Sequence, residues 1–216
     1  MKVLITGSSK GIGRAVAILF IEKGYAVYGI DICEDTIRHR NYTHYISDVA
    51  DAATLPDIPD VAILVNNAGV QGSGRDIEVN LKGAINCTEK YGIQPLISSI
   101  VNIASVSAHN GAEFPEYAAS KGGLLAYTKN AAKRVAVYGA TCNSISPGGV
   151  LTDLNLPVMN DTEKWGKIMD MTPLRKWATP EEIAGWIYFL AVTNKSMTGQ
   201  DVLVDNGEII NHTFVW

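Results

Sequence analysis

The segment Thr6-Gly7-Ser8-Ser9-Lys10-Gly11-Ile12-Gly13 decides the fold of this chain, because it joins a continuously apolar stretch to a helical one. Residues 2–6 before it predict a strand buried on both faces, since its apolar residues do not alternate with polar ones. Residues 12–23 after it predict a helix that ends at Gly24, because glycine adopts the left-handed conformation of a helix C terminus at little cost.

The three glycines of this segment have separate roles in a strand–turn–helix unit. Gly7 allows the tight turn, Gly11 lets backbone amides approach an anion, and Gly13 permits close packing of the helix. The helix N terminus adds oriented N–H groups and a positive end, which favour a phosphate. With 20 glycines in the chain an ordinary turn is the alternative, but the position between strand and helix favours the pyrophosphate site of a dinucleotide. The predicted cofactor-binding residues of the turn are Gly7, Ser9, Lys10, Gly11, Ile12 and Gly13.

Short stretches rich in valine and isoleucine alternate with longer helical stretches along the rest of the chain. This alternation is typical of a parallel sheet with helices on both faces. Further strands are predicted at residues 25–31, 43–46, 61–65, 100–104, 141–146 and 201–204. Helices are predicted at residues 116–137 and from the Thr179-Pro180-Glu181-Glu182 start to residue 192. We expect one α/β domain, residues 1–216, with a Rossmann-like doubly wound parallel sheet of about seven strands and shortened crossovers.

The composition is that of an ordinary globular protein, and it argues against several classes of partner. The chain has 216 residues, 47% apolar and 19% charged, enough for one buried core. The formal net charge of −4 offers no attraction for nucleic acid or anionic lipid, and no apolar stretch is long enough to span a membrane. Three separated cysteines, Cys33, Cys87 and Cys142, fit neither a disulfide framework nor a zinc site. We expect a cytoplasmic protein with no metal, nucleic-acid partner or membrane association.

Asp31 ends the second predicted strand, eighteen residues after Gly13. An acidic residue at about this distance from the glycine turn hydrogen-bonds the adenosine ribose hydroxyls of a dinucleotide. Its carboxylate would repel a 2′-phosphate, which favours NAD, whereas Lys10 could offset the repulsion and admit NADP. Taken alone, Asp31 could equally be a solvated acid at a strand end.

Tyr117 and Lys121 are four residues apart, so a helix places both side chains on one face. Ser105 follows the fifth predicted strand, at the carboxyl edge of the sheet, where ligands bind in this architecture. Many helices contain such a Tyr–Lys pair without any catalytic role. The combination with Ser105 and the glycine turn predicts an active site.

Several further motifs occur in the order and approximate spacing of the short-chain dehydrogenase/reductase family, which the chain resembles from Lys2 to Gly207. The matching segments are TGSSKGIG at 6–13, Asp31, Asp48-Val49, Asn66-Asn67-Ala68-Gly69, Asn80, Ser105, Tyr117-Ala-Ala-Ser-Lys121, Pro147-Gly148, Thr152 and TGQDVLVDNG at 198–207. The resemblance implies an NAD(P)-dependent oxidoreductase that transfers hydride between the nicotinamide and a carbonyl or secondary alcohol.

The resemblance also implies a role for each matching residue. Tyr117 would be the general acid and base, Ser105 would hydrogen-bond the substrate oxygen, Lys121 would hold the nicotinamide ribose, and Asn80 would position a water that relays protons. The remaining cofactor contacts implied are Asp48 and Val49 at the adenine, Asn67 and Gly69 beneath the adenosine ribose with Ala68 between them, and Pro147, Gly148, Val150 and Thr152 toward the carboxamide. For Asn66 and Asn67, satisfying backbone groups at a strand end is an alternative or an additional role.

The chain is shorter than usual for this family in three places, residues 48–60, 70–79 and 86–99. The first of these connections is barely long enough for a parallel crossover, so one helix of the usual pattern is expected to be nearly missing. The shortening is also expected to alter the helix that carries Asn80. Residues 151–176 correspond to a substrate lid, whose apolar side chains would suit an apolar or amphipathic substrate or simply pack on the core.

Two other functions share these motifs. One is reduction of 3-oxoacyl thioesters carried by an acidic carrier protein, which a basic patch formed by Lys133, Arg134, Arg175 and Lys176 would favour. The other is a redox sensor that binds NAD(P) without turnover, which the intact Ser105, Tyr117 and Lys121 argue against. The resemblance further suggests a homodimer or homotetramer. The apolar tail at residues 212–216 predicts an interface or a rim of the active site.

Overall fold

The computed structural model describes residues 1–112 and 114–211 and contains one sheet of seven parallel strands. In spatial order the strands are β3-β2-β1-β4-β5-β6-β7. Their bounds are β1 Lys2–Thr6, β2 Ala26–Asp31, β3 Tyr42–Ile46, β4 Val61–Asn66, β5 Ser99–Ile103, β6 Thr141–Pro147 and β7 Asp201–Val204. The doubly wound sheet predicted from the sequence is confirmed, and every predicted strand lies within one residue of an observed one.

Helices cover both faces of the sheet. The α-helical bounds are α1 Gly11–Glu22, α2 Ala84–Cys87, α3 Ser107–Asn110, α4 Pro115–Val135, α5 Leu156–Met159, α6 Thr162–Met171 and α7 Pro180–Tyr188. Wide π-helical turns extend α2 on both sides, at Ile77–Gly83 and Thr88–Gly92, and extend α7 through Phe189–Thr193. Short 3-10 turns lie at Ala136–Tyr138, Asp153–Asn155 and Glu208–Ile210. The predicted tail interface at residues 212–216 lies outside the described residues.

Local sequence signals explain where these helices begin and end. Thr179 Oγ1 accepts a hydrogen bond from the Glu182 amide, and the Glu182 carboxylate accepts one from the Thr179 amide, so α7 starts with a complete capping box. Gly24 and Gly139 follow helical segments with φ of 84° and 71°, the left-handed conformation expected of them. The long helix predicted at residues 116–137 ends its α-helical part at Val135 and tightens into a 3-10 turn before Gly139.

The core consists of two apolar layers separated by the sheet. On one side α1 and α7 pack together on the sheet, with Phe20 and Ile187 fully buried, and on the other side Leu64 and Val135 are fully buried. The three central residues of β1 have no exposed surface, which confirms the strand buried on both faces.

Two consecutive crossovers, not one, lack a helix. Residues 47–60 form only turns, as the length of this connection predicted, and residues 32–41 also contain no helix. The prediction of a single thinned crossover is therefore incomplete, and both thinned crossovers flank β3 at the edge of the sheet. Lys90 Nζ donates to the Leu55 carbonyl at 2.6 Å, and the Tyr91 hydroxyl donates to the Pro56 carbonyl at 2.6 Å. These bonds hold the helix-less 47–60 connection in place.

Buried amide side chains link the centre of the sheet to two helical segments. Asn102 has no exposed surface, donates to Thr128 Oγ1 at 2.8 Å and accepts from Asn66 Nδ2 at 2.8 Å. Asn66 Nδ2 also donates to Thr88 Oγ1 at 3.0 Å. The Asn66 side chain thus has a structural role, but its bonds go to side chains and not to the backbone groups that the sequence suggested, and it connects β4 and β5 to the helices that carry the candidate site.

We predict that Asn102→Ala lowers the free energy of unfolding by about 3 kcal/mol, because it leaves buried partners unsatisfied and creates a cavity. Asn160→Ala, at an exposed position, is the matched control and should change it by less than about 0.5 kcal/mol. Urea denaturation followed by circular dichroism measures both values. An equal loss of unfolding free energy in the two variants would show that the buried amide network contributes nothing to stability.

Candidate active site

The glycine turn between β1 and α1 has backbone conformations and close contacts that favour glycine over residues with a side chain. Gly7 and Gly11 have φ of 67° and 54°, values that side chains rarely adopt. A Cβ at Gly13 would lie 2.0 Å from the Gly7 carbonyl oxygen, so only glycine lets the helix pack this closely on the turn. Lys10 precedes α1 without capping it through its side chain. The first amides of α1 therefore have no side-chain cap, as a phosphate-binding N terminus requires.

Asn67 braces this turn from the end of β4. Its Nδ2 donates to the carbonyl oxygens of Thr6 and Gly7 at 2.9 and 3.0 Å. The amides of Asn67 and Ala68 both donate to Thr6 Oγ1 at 3.0 Å. The side chain thus satisfies backbone groups at a strand end, and its contact with a ribose stays a prediction.

The Asp31 carboxylate lies at the same turn and is buried. Its Oδ2 accepts from the Ser9 amide at 2.9 Å, and its Oδ1 accepts from the Cys33 amide at 2.9 Å. It is therefore not the solvated strand-end acid of the alternative interpretation. The two bonds fix the negative charge beside the glycine turn, with lone pairs left for further donors.

A hydrogen-bonded chain of polar side chains begins at Ser8 in the glycine turn, and the sequence did not reveal it. Ser8 Oγ lies 2.9 Å from the Tyr42 hydroxyl, which lies 3.1 Å from His44 Nδ1. His44 Nε2 is 2.9 Å from the Cys33 carbonyl oxygen. A Cβ at Gly29 would lie 2.1 Å from the Tyr42 hydroxyl oxygen, so the glycine in the middle of β2 was the available signal.

The predicted adenine contacts, Asp48 and Val49, lie where β3 leads into the 47–60 connection. Arg75 Nη2 donates to Asp48 Oδ2 at 2.8 Å, and this guanidinium holds the pKa of Asp48 below its ordinary value. Val49 is buried, and its Cγ2 would lie 2.6 Å from a Cβ at Gly83. The Val49 side chain therefore packs on the π-helical turn before α2, and its carbonyl accepts from Asn86 Nδ2 at 3.0 Å, which leaves its backbone N–H for any contact with a base.

Lys121 is a buried charged group of the site. Its side chain is buried, and its Nζ donates to the Ile103 carbonyl oxygen at 2.7 Å. Burial lowers the pKa of Lys121 to about 8, although the Asp76 carboxylate acts in the opposite direction. Its Nζ lies 5.7 Å from the centroid of the Tyr117 ring, one helical turn earlier on α4. The expected placement of phenol and ammonium on one face is thus observed.

Ser105 lies two residues beyond the carbonyl group that binds Lys121. It is buried at the end of β5, and its Oγ accepts from the Ser107 amide at 3.1 Å. The bond from Lys121 to Ile103 therefore brings the hydroxyl of Ser105 and the groups of α4 to the same edge of the sheet.

Asn80 joins the loop after β4 to α4. Its Nδ2 donates to the Val70 carbonyl at 2.9 Å and to Ser120 Oγ at 3.0 Å, and its Oδ1 accepts from the Val70 amide at 2.8 Å. A Cβ at Gly69 would lie 3.2 Å from Asn80 Oδ1 and 3.5 Å from Lys121 Nζ. Asn80 thus lies next to Lys121, but its side chain is engaged in protein hydrogen bonds. The proton-relay role implied for it stays a prediction.

The segment after β6 closes the site from the other side. The Val106 amide donates to the Pro147 carbonyl at 3.0 Å, so the Pro147-Gly148 turn lies beside the turn that carries Ser105. Val150 is buried and pairs with Ala178, and Thr152 Cγ2 lies 3.4 Å from the position of a Cβ on Gly11. The two ends of the predicted cofactor site therefore meet at Thr152.

The predicted lid, residues 151–176, contains α5 and α6 and carries exposed apolar side chains. Leu154 is 60% exposed and Met171 is 58% exposed, so these two do not simply pack on the core. Trp165 does pack, edge to face against Trp177 at 5.0 Å between ring centroids.

The described residues contain no cluster of side chains suited to a metal ion, and none of their helices is long and apolar enough to cross a membrane. Burial raises the pKa of the Cys87 and Cys142 thiols to about 12, which makes them poor nucleophiles.

Comparison with known proteins agrees with this geometry. A family model described as Enoyl-(Acyl carrier protein) reductase matches residues 7–208. The chain belongs to the short-chain dehydrogenase/reductase family. It is an NAD(P)-dependent oxidoreductase that transfers hydride between the nicotinamide and a carbonyl or alcohol substrate.

Relatives within this family have different substrates. The chain is 31% identical to L-rhamnose 1-dehydrogenase (NAD(P)(+)) of Sphingomonas sp. strain SKA58, over 97% of this chain and 96% of that protein. It is 30% identical to 3-oxoacyl-[acyl-carrier-protein] reductase FabG of Thermotoga maritima, over 96% of this chain and 97% of that protein. The structure of Thermoplasma acidophilum aldohexose dehydrogenase superposes with a TM-score of 0.85 at 27% identity, covering 100% of this chain and 96% of that one.

We predict that Gly13→Ala weakens NADH binding at least tenfold, about 1.4 kcal/mol, because the new Cβ forces the turn and α1 apart. Gly166→Ala in α6 is the matched control, since a Cβ there meets no atom within 4 Å. Titration of NADH fluorescence measures binding in both variants, and circular dichroism checks their folding. Parent-like NADH affinity in a folded Gly13→Ala protein would place the dinucleotide elsewhere.

Proposed function

We propose that Tyr117 is the general acid and base of this oxidoreductase, that Ser105 orients the substrate oxygen, and that Lys121 tunes the phenol and holds the nicotinamide ribose. The observation that carries the proposal is the buried Lys121 ammonium, which lies 5.7 Å from the Tyr117 ring centroid and is bonded to the strand that leads to Ser105.

The electrostatics of this pair suit proton transfer near neutral pH. A free phenol has a pKa of ~10, so it exchanges protons inefficiently at pH 7 without help. A nearby ammonium favours the phenolate form of Tyr117 over the neutral phenol. Because the pKa of Lys121 is itself lowered to about 8, the ammonium is mostly present at pH 7 and is lost as the pH rises above that value. We expect turnover to decline on the alkaline side as Lys121 deprotonates.

The residues of the glycine turn fit a dinucleotide. Two glycines with positive φ, a close approach that excludes a Cβ at Gly13, and an uncapped helix N terminus together suit an anion. When bound, the nicotinamide supplies the hydride chemistry, and the protein contributes alignment and electrostatics. The residues proposed to hold it are those of the turn, Asp31, the backbone at Asp48 and Val49, the Asn67–Gly69 segment, and Pro147 to Thr152.

We infer a preference for NAD over NADP from Asp31. Its carboxylate is held at the turn by the amides of Ser9 and Cys33, so it cannot swing away from an incoming 2′-phosphate without losing two hydrogen bonds. Lys10 is exposed beside the turn and is the group that would admit NADP.

A small carbonyl or alcohol with an apolar or amphipathic body suits the exposed side chains of the lid. The alternative, a 3-oxoacyl thioester on an acidic carrier protein, needs basic residues free to dock it. Three of the four candidate basic residues are instead paired, Arg134 with Glu89, Arg175 with Asp170 and Lys176 with Glu182. These ion pairs favour the small-molecule substrate. The cytoplasmic location, the homodimer or homotetramer and the single-domain organisation stay predictions of the sequence.

We predict that Tyr117→Phe lowers kcat at least a hundredfold and leaves NADH affinity within about twofold, because only the phenol proton is removed. The measurement is absorbance at 340 nm with NADH or NADPH and a panel of ketones, aldehydes and 3-oxoacyl thioesters. Tyr138→Phe, at an exposed tyrosine outside the site, serves as the control. Turnover that survives in Tyr117→Phe would refute the role of this phenol.

We predict that Asp31→Asn raises the ratio of kcat/KM for NADPH to kcat/KM for NADH by about tenfold or more. The substitution removes a negative charge that would repel the 2′-phosphate of NADPH. Asp35→Asn is the matched control, since this exposed aspartate lies in the crossover that follows β2 and accepts a hydrogen bond from the Ile37 amide. An unchanged ratio in Asp31→Asn would mean that another group selects the cofactor.

A further inference from the structure

Asp76 is a buried carboxylate that the predicted active site does not include. Only 1% of its surface is exposed. Its Oδ1 accepts from the Gly72 amide at 2.9 Å, and its Oδ2 accepts from the Ser73 amide at 2.9 Å and from Ser73 Oγ at 3.2 Å. Every one of these partners belongs to the loop between β4 and the π-helical turn at Ile77–Gly83. The hydrogen bonds therefore fix the position of the Asp76 carboxylate within that loop.

The same loop lies against Lys121. A Cβ at Gly69 would be 3.5 Å from Lys121 Nζ, and Gly69 is only three residues before Gly72, a span of at most ~10 Å even when fully extended. Asn80, one helical turn after Asp76, ties the loop to Ser120, the neighbour of Lys121. The chain therefore brings the buried Asp76 carboxylate into the neighbourhood of the buried Lys121 ammonium, and solvent screens the interaction of buried charges less than that of exposed ones.

Few other charged or titratable groups face Lys121 from the described elements packed around it. Its own helix contributes the Tyr117 phenol, and β5 contributes only the neutral Ile103 carbonyl. The loop contributes Asp76, whose neighbour Arg75 is turned away into an ion pair with Asp48. Asp76 is thus the negative charge opposite the ammonium.

We propose that Asp76 is a positioning residue that keeps Lys121 in its charged form inside the buried site. Burial alone drives a lysine toward the neutral amine, because an ammonium loses its hydration. A fixed carboxylate nearby opposes that tendency, and Asp76 raises the pKa of Lys121 against the effect of burial. The significance for catalysis rests on the proposed role of the Tyr117–Lys121 pair, whereas the electrostatic coupling does not.

The test is a pH titration of Lys121 in the cofactor-free protein, monitored by NMR of ¹³Cε-labelled lysine. The Lys121 signal is assigned as the one that is missing from the spectrum of Lys121→Arg. For the parent we expect a midpoint of about 8. Asp76→Asn should lower the midpoint by about one pH unit, because removing a nearby negative charge makes the ammonium easier to deprotonate. Ser73→Ala is the matched control, since it removes one hydrogen bond to the same carboxylate but keeps the charge. It should leave the midpoint unchanged.

The double variant Ser73→Asp with Asp76→Asn separates charge from loop structure. It returns one carboxylate to the loop beside the amide at position 76, so the midpoint should return to that of the parent. If Asp76→Asn alone does not fold, the double variant tests the proposal in its place. A midpoint of Lys121 in the double variant about one pH unit below that of the parent would overturn the proposal. A parent-like midpoint in folded Asp76→Asn, or an equal fall in Ser73→Ala, would also overturn it.

A second measurement connects the coupling to turnover. In the direction of alcohol oxidation, the alkaline limb of the kcat/KM profile should move to lower pH by the same amount in Asp76→Asn and stay in place in Ser73→Ala. If no substrate is turned over, or if Tyr117→Phe is fully active, the proposed function fails while the lysine titration still reports on Asp76. If the titration shifts as expected but the limb does not, Asp76 has no positioning role in the reaction.

Discussion

The hydrogen bond from Lys121 Nζ to the Ile103 carbonyl, 2.7 Å long, is the constraint on which the active site depends. It joins the helix that carries Tyr117 to the strand that ends just before Ser105. Together with the bonds from Asn102 to Thr128 and from Asn80 to Ser120, it sets the rotation of α4 relative to the sheet edge, because a short hydrogen bond specifies side-chain direction more sharply than apolar packing does. The phenol, the ammonium and the hydroxyl therefore have a common reference point in one backbone carbonyl.

Burying this ammonium is unfavourable, and several surrounding features offset the cost. The Ile103 carbonyl replaces part of the lost hydration, the Asp76 carboxylate supplies opposite charge, and Asn80 fixes the loop that carries Asp76 against α4. The same burial brings the pKa of Lys121 to about 8, close to the pH at which a tyrosine must exchange protons. Stability and reactivity thus depend on the same desolvated charge.

The sequence was most informative where one residue type has a single physical explanation. Continuous apolar strands, Gly24 and Gly139 at helix ends and the Thr179 capping box predicted the sheet and its helices closely, and the Tyr117–Lys121 spacing predicted the shared face. Contacts between distant segments were not predictable. The absence of a helix at residues 32–41, the Ser8–Tyr42–His44 chain and the position of Asp76 depend on how shortened loops pack, which leaves no periodic signal. Asn67 and Asn80 were found, but their structural bonds appear only in three dimensions.

The most direct test of this account is a crystal structure with NAD⁺ and an alcohol bound together. The account predicts that the pyrophosphate lies on the turn at residues 7–13 and that the alcohol oxygen lies within about 3.2 Å of both Tyr117 Oη and Ser105 Oγ, with the bond from Lys121 to Ile103 intact. An alcohol oxygen out of reach of the phenol, or a dinucleotide bound away from the glycine turn, would contradict it.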